Sequence, residues 1–593
     1  MRPKLLLFTL FLASAAWAAP AVKDDLQTRR DALNALLAEQ WDYTLSHAPE
    51  FASILGDKRW NDQVSDFSQA AIDADLAKSR DLLKRFEAVD TTGFPEQEAL
   101  NKELMVRGLK EDIEGSRFKG WLMPVNQMSG IHLMAPQFPS LLSFTSAKDY
   151  DDLITRYKKL PKLFDDTIDH MRQGMAAGLM PPKFLLEKVA DQVDGIAAVP
   201  AEQSPFAEPL SKFPKEISEA EQKRIREEMV AAIRDSILPA YVKFGKFVKE
   251  EYIPKGRTEP GMWSLPDGGE RYAWAVKQMT TSNMSPEEIH QLGLREVARI
   301  EGQMLAIAKK LGYKDLKSFN AAVAADPKLK AQSRQQILDL YTKHIDEMWA
   351  KLPQLFGRLP KAKVEVVPVE EFREKEASAA QYITGAPDGS RPGRVQVNTG
   401  DATSRKTISM ESTAYHEGVP GHHMQLSIAQ ELPTLPPFRQ QGGYTSFAEG
   451  WALYSERLGK EVGFYQDPYS DYGHLQDEML RAIRLVVDTG FHYKHWTRDQ
   501  VVQFFHDHSA IDEVEVQSET DRYIVWPGQA LAYKIGQLKI LELRERAKRE
   551  LGPKFDIRQF HDEVLSAGAL PLDVLERRVD GWIGTEKGMK QAR

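Results

Sequence analysis

The ten residues Tyr415-His416-Glu417-Gly418-Val419-Pro420-Gly421-His422-His423-Met424 hold three imidazoles and one carboxylate within eight positions. A second cluster, Ser446-Phe447-Ala448-Glu449-Gly450-Trp451-Ala452-Leu453-Tyr454-Ser455-Glu456, follows after a stretch long enough for one helix and one loop. Two imidazoles and a distant carboxylate can hold a zinc ion and leave a fourth position open for water. A glutamate directly after the first imidazole can take a proton from that water. These residue types and spacings point to metal-assisted hydrolysis with Glu417 as the general base.

The second ligand is the open question. On an unbroken helix two zinc-binding histidines lie four apart, because one turn takes 3.6 residues. Here His422 is six and His423 seven positions after His416. Seven-residue spacing shares a helix face and six-residue spacing does not, which favours His423. Pro420 and Gly421, however, oppose an unbroken helix. A bulge that absorbs two residues would return His422 to the second-ligand place, and bulges gather at functional sites. Periodicity leaves both open. Glu449 has apolar neighbours in Phe447, Trp451 and Leu453, so it is expected to be shielded from water. Glu456, seven residues on, shares its face and could orient a ligand histidine or replace Glu449.

The elements that must position these groups read mainly as helices. Leu33, Leu36, Leu37 and Trp41 mark one apolar face over residues 25–48. Ser218-Glu219-Ala220-Glu221 reads as a capping box that opens a helix towards Val248. Ser285-Pro286-Glu287-Glu288 opens another, expected to reach Leu311 and stop at Gly312. Lys363–Val369 reads as a strand near a sheet edge, because Pro368 lacks an amide hydrogen. Tyr382-Ile383 and Arg394–Asn398 flank a turn-rich stretch and predict a small antiparallel β-element just before the histidines. Eight of the 14 histidines lie between His416 and His508, which directs the search for chemistry to the last third.

Composition narrows the class. The chain has 593 residues, 42% hydrophobic and 28% charged, with a net charge of −8, as in an ordinary globular protein. No basic block suggests nucleic acid as a partner. With no cysteine, disulfides, thiolate nucleophiles, Cys-ligated zinc and a lipid-anchored cysteine are excluded. Arg2 and Lys4, the apolar run Leu5–Ala13 and the small-x-small site Ala16-Trp17-Ala18 predict a signal peptide over residues 1–18. No later stretch approaches the ~18 apolar residues of a membrane span. The mature chain is expected to be exported, with a bacterial periplasm as the simplest compartment.

Several segments resemble one family in the same order: HEGVPGHHMQ, FAEGWALYSE, RLVVDTGFH and DRYIVWPGQALAYKIG. They are similar to an exported bacterial family known as domain of unknown function 885. That family in turn resembles thimet oligopeptidase, neurolysin and carboxypeptidase Taq, which are helical zinc peptidases with a deep substrate channel. The resemblance implies a mainly α, two-lobed zincin-like fold. Its expected lobes are residues 19–260, all helical, and residues 261–593, with the small β-sheet and the metal site. Aligning the Gly-His pair implies His416, His422 and Glu449 as ligands of one zinc ion per chain. His423 and Glu456 are the alternatives. In the similar peptidases later tyrosines stabilise the oxyanion, and here Tyr523 and Tyr533 hold that place.

A peptide is the expected substrate. The strand at Val395–Asn398 could offer it an edge, with Asn398 in contact. Arg522 or Lys534 could bind a substrate carboxylate. His492 and His495 could form a second metal site, though hydrogen-bonded structural roles suit them better. Two other readings use the same residues: a zinc amidase acting on cell-wall material, and a non-catalytic peptide-binding scaffold. Retention of Glu417 argues against the scaffold, because metal binding alone does not need a general base.

Overall fold

Apolar residues at three- and four-residue intervals fold most of this chain into helices, and a computed structural model describes residues 22–588 apart from 372, 373, 375, 376, 388 and 390. The expected signal segment, residues 1–18, lies outside the described residues. Helices α1 (Val22–His47), α2 (Gln69–Ala88) and α3 (Glu96–Ser116) pack around Leu33, Leu37, Phe86 and Leu109. Helices α4 (Ala147–Ala176), α5 (Lys183–Ala197) and α6 (Glu219–Ala232) build a second core around Tyr157, Phe164, Val189 and Tyr241. Ser218 caps α6 by accepting from the Glu221 amide at 3.3 Å. The helical path then continues through π-helical turns at 233–237 and 248–252. Helix α7 (Pro286–Lys310) starts with the full capping box of Ser285 and Glu288.

Helix α8 (Arg334–Trp349) leads to a three-stranded sheet of β1 (Val364–Pro368), β2 (Ala380–Ile383) and β3 (Gly393–Val397), in the order β1-β3-β2. The β2–β3 pair is antiparallel, with Tyr382 opposite Val395. β1 runs parallel to β3, with Val366 opposite Val395, so the sheet is mixed. The chain places β1 and β2 first and returns β3 between them. Residues 395–397 are therefore central and paired on both sides, and do not form the free edge expected of them. Pro368 lies on edge strand β1, where no neighbour needs its missing amide hydrogen.

The remaining helices carry the histidines and their partners: α9 (Met410–Glu417), α10 (His422–Gln430), α11 (Thr445–Glu461), α12 (Pro468–His492), α13 (Glu513–Val525) and α14 (Ala532–Leu551). Helices α11 and α14 cross at two glycines. A Cβ on Gly450 would lie 2.5 Å from the Gly536 backbone, so only glycine permits this approach. Helix α12 is buried on every side from Glu478 to His492. Its polar groups must therefore find partners inside the protein.

The helical segments are not independent units. Leu100 and Leu104 of α3 join the large core that contains Tyr415, Trp451 and Leu543. Asn101 accepts a buried hydrogen bond from Arg439 at 2.8 Å. A cavity of about 2630 Å³ opens between residues of the α5 region, such as Lys188, Gln192 and Pro205, and the α9–α14 helices. No described helix is long and apolar enough to cross a membrane.

Candidate metal centre

The histidine segment neither forms one helix nor simply ends one. Helix α9 stops at Glu417, and α10 begins at His422. Between them the Gly421 amide donates to the Tyr415 carbonyl at 3.0 Å. In an α-helix that carbonyl would serve the amide four residues on; here it serves the one six residues on. Two residues are thus looped out, and His422 takes the place of a fourth-position residue after His416. Gly421 is required there, because a Cβ would lie 1.9 Å from the His416 carbonyl oxygen. The loop is held by α11: the Pro420 carbonyl accepts from Trp451 Nε1 at 2.8 Å and from Ser455 Oγ at 3.2 Å. The helix that carries Glu449 and Glu456 therefore also fixes the histidine loop.

His416 Nε2, His422 Nε2 and a Glu449 oxygen form a cluster in which the atoms all lie within 4.8 Å of one another. Glu449 Oε2 is 3.5 Å from His416 Nε2 and 3.2 Å from His422 Nε2. Tetrahedral bonds of about 2.0–2.1 Å would space ligand atoms by roughly 3.3–3.4 Å. Glu449 Oε2 is buried and has no hydrogen-bond partner. Such an atom is costly unless something else satisfies it. The donor set and its spacing thus fit a zinc ion. Among the described residues no other group of His, Asp or Glu has this arrangement.

The surrounding charges fit the same ion. Glu456 is fully buried and holds His416 Nδ1 at 2.8 Å, which leaves Nε2 facing Glu449. Arg481 lies 3.6 Å from the same Glu456 oxygen. Burial lowers His416, but Glu449 and Glu456 outweigh it and raise the ring to about 10. Burial raises the Glu449 carboxyl, and the facing rings of His422 and His416 reverse that, holding it well below the usual carboxylate range. Two carboxylates thus stabilise positive charge at one point. Glu417, next to His416, lines the cavity beside His422 and Glu449.

The other candidate residues separate into those at the cavity and those away from it. His423 faces the opposite way from His422. Its Nδ1 meets Tyr382 Oη at 2.9 Å and its Nε2 meets the Ala362 carbonyl at 3.2 Å, so neither nitrogen is left for a metal. Tyr533 lines the cavity, and its ring stacks on His416 with centroids 6.3 Å apart. Its oxygen accepts from Arg522 at 3.0 Å and Gln529 at 3.3 Å, which leaves its own proton free to donate. Tyr523, by contrast, is fully buried and donates to Glu519, so it does not reach the cavity.

Lys534 is also fully buried and pairs with Glu478 at 2.6 Å and Glu296 at 3.1 Å. These ion pairs remove it from the substrate wall. Asn398 borders the cavity, but its side chain braces a turn. Nδ2 donates to the Glu374 and Ala377 carbonyls at 2.7 and 3.0 Å, and Oδ1 accepts from the Gly400 amide at 3.1 Å. The strand residues that do border the cavity on an open edge are Ala380, Gln381 and Tyr382 of β2. His492 accepts from the Met262 amide at 3.0 Å and meets the Tyr523 carbonyl at 2.9 Å, which is the structural role. Arg522 remains at the cavity, joined by Arg484 from α12. Sequence reading passed over Arg484, although an arginine inside the apolar run of residues 482–487 was a usable signal.

The fold and this donor set define a mainly helical protein whose candidate metal centre opens on a large internal cavity. Residues 49–579 match the family described as bacterial protein of unknown function (DUF885), and the chain belongs to that family. The crystal structure of a provisionally named lipoprotein from Colwellia psychrerythraea is similar, at 30% identity and a TM-score of 0.89 over 94% of this chain and 99% of that one. A lipoprotein of unknown function from Shewanella oneidensis, also provisionally named, shares the fold at 18% identity and a TM-score of 0.68, over 93% and 99% of the two chains. PZ peptidase A with a bound inhibitor aligns at 12% identity and a TM-score of 0.34, over 88% and 97%, a likeness too slight to carry function. Among curated proteins none matches the chain.

Proposed function

We propose that this protein is a zinc-dependent peptidase that hydrolyses peptides inside its cavity. One observation carries the reading: one ligand atom each of His416, His422 and Glu449 converges within 4.8 Å on the cavity wall, which Glu417 also lines. Held by those three residues, zinc would acidify a water and polarise the substrate carbonyl.

The chain's own residues do the rest. The open edge of β2 can hydrogen-bond an extended peptide backbone. Glu417 takes a proton from the attacking water, whose hydroxyl adds to the carbonyl carbon. Tyr533 donates its free O–H to the carbonyl oxygen as negative charge develops there. The C–N bond then breaks, and Glu417 passes the proton to the leaving amine. Glu456 keeps His416 oriented throughout. Glu417 also separates this reading from a binding scaffold, because it stands at the cavity and supplies nothing to the metal cluster itself.

Metal content comes first in the test. Protein purified without chelators or an affinity metal should carry one zinc per chain by inductively coupled plasma mass spectrometry. It should also cleave members of a mixed peptide library. No zinc, and none taken up from micromolar solution, would overturn the proposal. Zinc with no cleavage of any peptide would reduce it to a binding protein.

A further inference from the structure

Two guanidinium groups on the cavity wall share one carboxylate. Arg484 of α12 pairs with Glu519 at 2.8 Å, and Arg522 of α13 pairs with the same Glu519 at 3.2 Å. Neither arginine has a second ion-pair partner among the described residues. Arg484 is 4% exposed, and its Nη1 has no hydrogen-bond partner; the Nε of Arg522 has none either. Each guanidinium carries five N–H donors, so the shortfall is in acceptors. Glu515, one turn before Glu519, is exposed at the cavity and forms no ion pair with either arginine. Two buried guanidinium groups on one carboxylate leave an excess positive charge, which is costly, and a carboxylate from a ligand would balance it.

The position relative to the candidate metal narrows the ligand. Tyr533 bridges the two places: its oxygen is 3.0 Å from Arg522 Nη2, and its ring stacks on His416 at 6.3 Å. Arg484 lies over the same ring, 4.5 Å from its centroid. These contacts bound the separation of Arg522 from His416 at roughly 12 Å, about three extended residues at about 3.5 Å each. A chain whose scissile bond lies at the metal would then place its end at the arginines.

We propose that Arg484 and Arg522 form a subsite for the free C-terminal carboxylate of a peptide. The enzyme then removes short pieces of one to three residues from that end. This inference rests on the peptidase reading, so its test must be able to fail separately.

The probes are three N-acetylated, alanine-rich hexapeptides: the free acid, its C-terminal amide, and the amide with one internal Glu. Each is given to zinc-loaded full-length protein, and the products are read by mass spectrometry. The acid should exceed the amide by about 10- to 100-fold in kcat/KM, as expected for charge-assisted hydrogen bonds. The Arg522→Gln variant should bring that ratio towards one, and Arg522→Lys should restore part of it. Arg522→Gln leaves Arg484 and Glu519 as a balanced pair, so the fold should hold, with the thermal midpoint as the check. Equal cleavage of acid and amide by the wild-type protein would overturn the subsite while the peptidase reading stands. If the Glu-containing amide matches the acid, the arginines read an acidic side chain, and the C-terminal assignment falls. Calorimetric binding of the acid and the amide supplies a readout without turnover. Acid-selective binding that Arg522→Gln removes supports the subsite even if no peptide is cleaved; equal binding overturns it.

Discussion

On the cavity side of α10, His422 turns Nε2 to a buried carboxylate oxygen of Glu449 at 3.2 Å, which His416 Nε2 also faces at 3.5 Å. One residue later, on the sheet side of the same helix, His423 uses both ring nitrogens on Tyr382 and the Ala362 carbonyl. At His423 burial outweighs the opposing hydrogen bond to the Ala362 carbonyl and lowers the ring to about 4. At His416, the partner of His422, burial is outweighed by Glu449 and Glu456. The same residue type is buried in both regions. In one, every polar atom is satisfied by the protein and the ring stays neutral, which holds the sheet to the helix. In the other, charges converge on one carboxylate oxygen, which marks a site for a ligand. Buried ion pairs divide in the same way: Lys534 sits between two carboxylates, while Arg484 and Arg522 divide one.

The sharpest way to break this comparison is at Glu417. The Glu417→Gln variant should lower kcat by about 10²–10⁴-fold, the usual worth of a positioned general base. Zinc should remain at one per chain. Loss of zinc together with activity would instead make Glu417 part of the metal set.

The paired variants His422→Ala and His423→Ala come next. His422→Ala should lose stoichiometric zinc and activity with little change in the thermal midpoint of the chelated protein. His423→Ala should keep zinc but lose about 1–3 kcal/mol in denaturant unfolding, because the buried ring's hydrogen bonds to Tyr382 and the Ala362 carbonyl are removed. The reverse pattern would exchange their roles.

Glu456→Gln tests the orienting contact more gently. A lost partner of this kind costs about 10- to 100-fold in metal affinity, readable by competition with a chromogenic chelator. An unchanged affinity would show that Glu456 does not act through His416.

The smallest effect is on acid stability. Burial lowers His423 to about 4 and lowers His492 and His561 to about 3. In the unfolded chain such rings take up protons below about 6.5. Their contribution is therefore complete above that pH and is lost as pH falls towards the folded values. The thermal midpoint of chelated protein should fall steadily between pH 6.5 and 4. Replacing His423 should flatten part of that slope.

Much of the site was legible in order and type. The cap at Ser285, the strand signals around Pro368 and the histidine–glutamate clusters all depend on neighbours within a few positions, where local sterics and hydrogen bonding decide. The pairing of Glu456 with His416 was readable as seven-residue helical spacing from Glu449. Choices between equivalent residues were not readable. Tyr523 and Tyr533 are ten positions apart on different helices; the first hydroxyl meets Glu519 one turn earlier on its own helix, and Arg484 of α12 closes over the pair, which keeps it from the cavity. Val395–Val397 carries the pattern of a strand in either an edge or a central place, and chain order alone does not assign it.

By itself, the sequence determined a mainly helical chain of this family, without disulfides, whose candidate metal residues lie in the last third. Tertiary structure decided which atoms meet. Only the looped link at 418–421, pinned by Trp451 and Ser455, brings His422 rather than His423 to Glu449. The reason is physical: helical period fixes which residues share a face, but a two-residue excursion resets that period. Whether the backbone makes the excursion depends on contacts from a helix some thirty residues away.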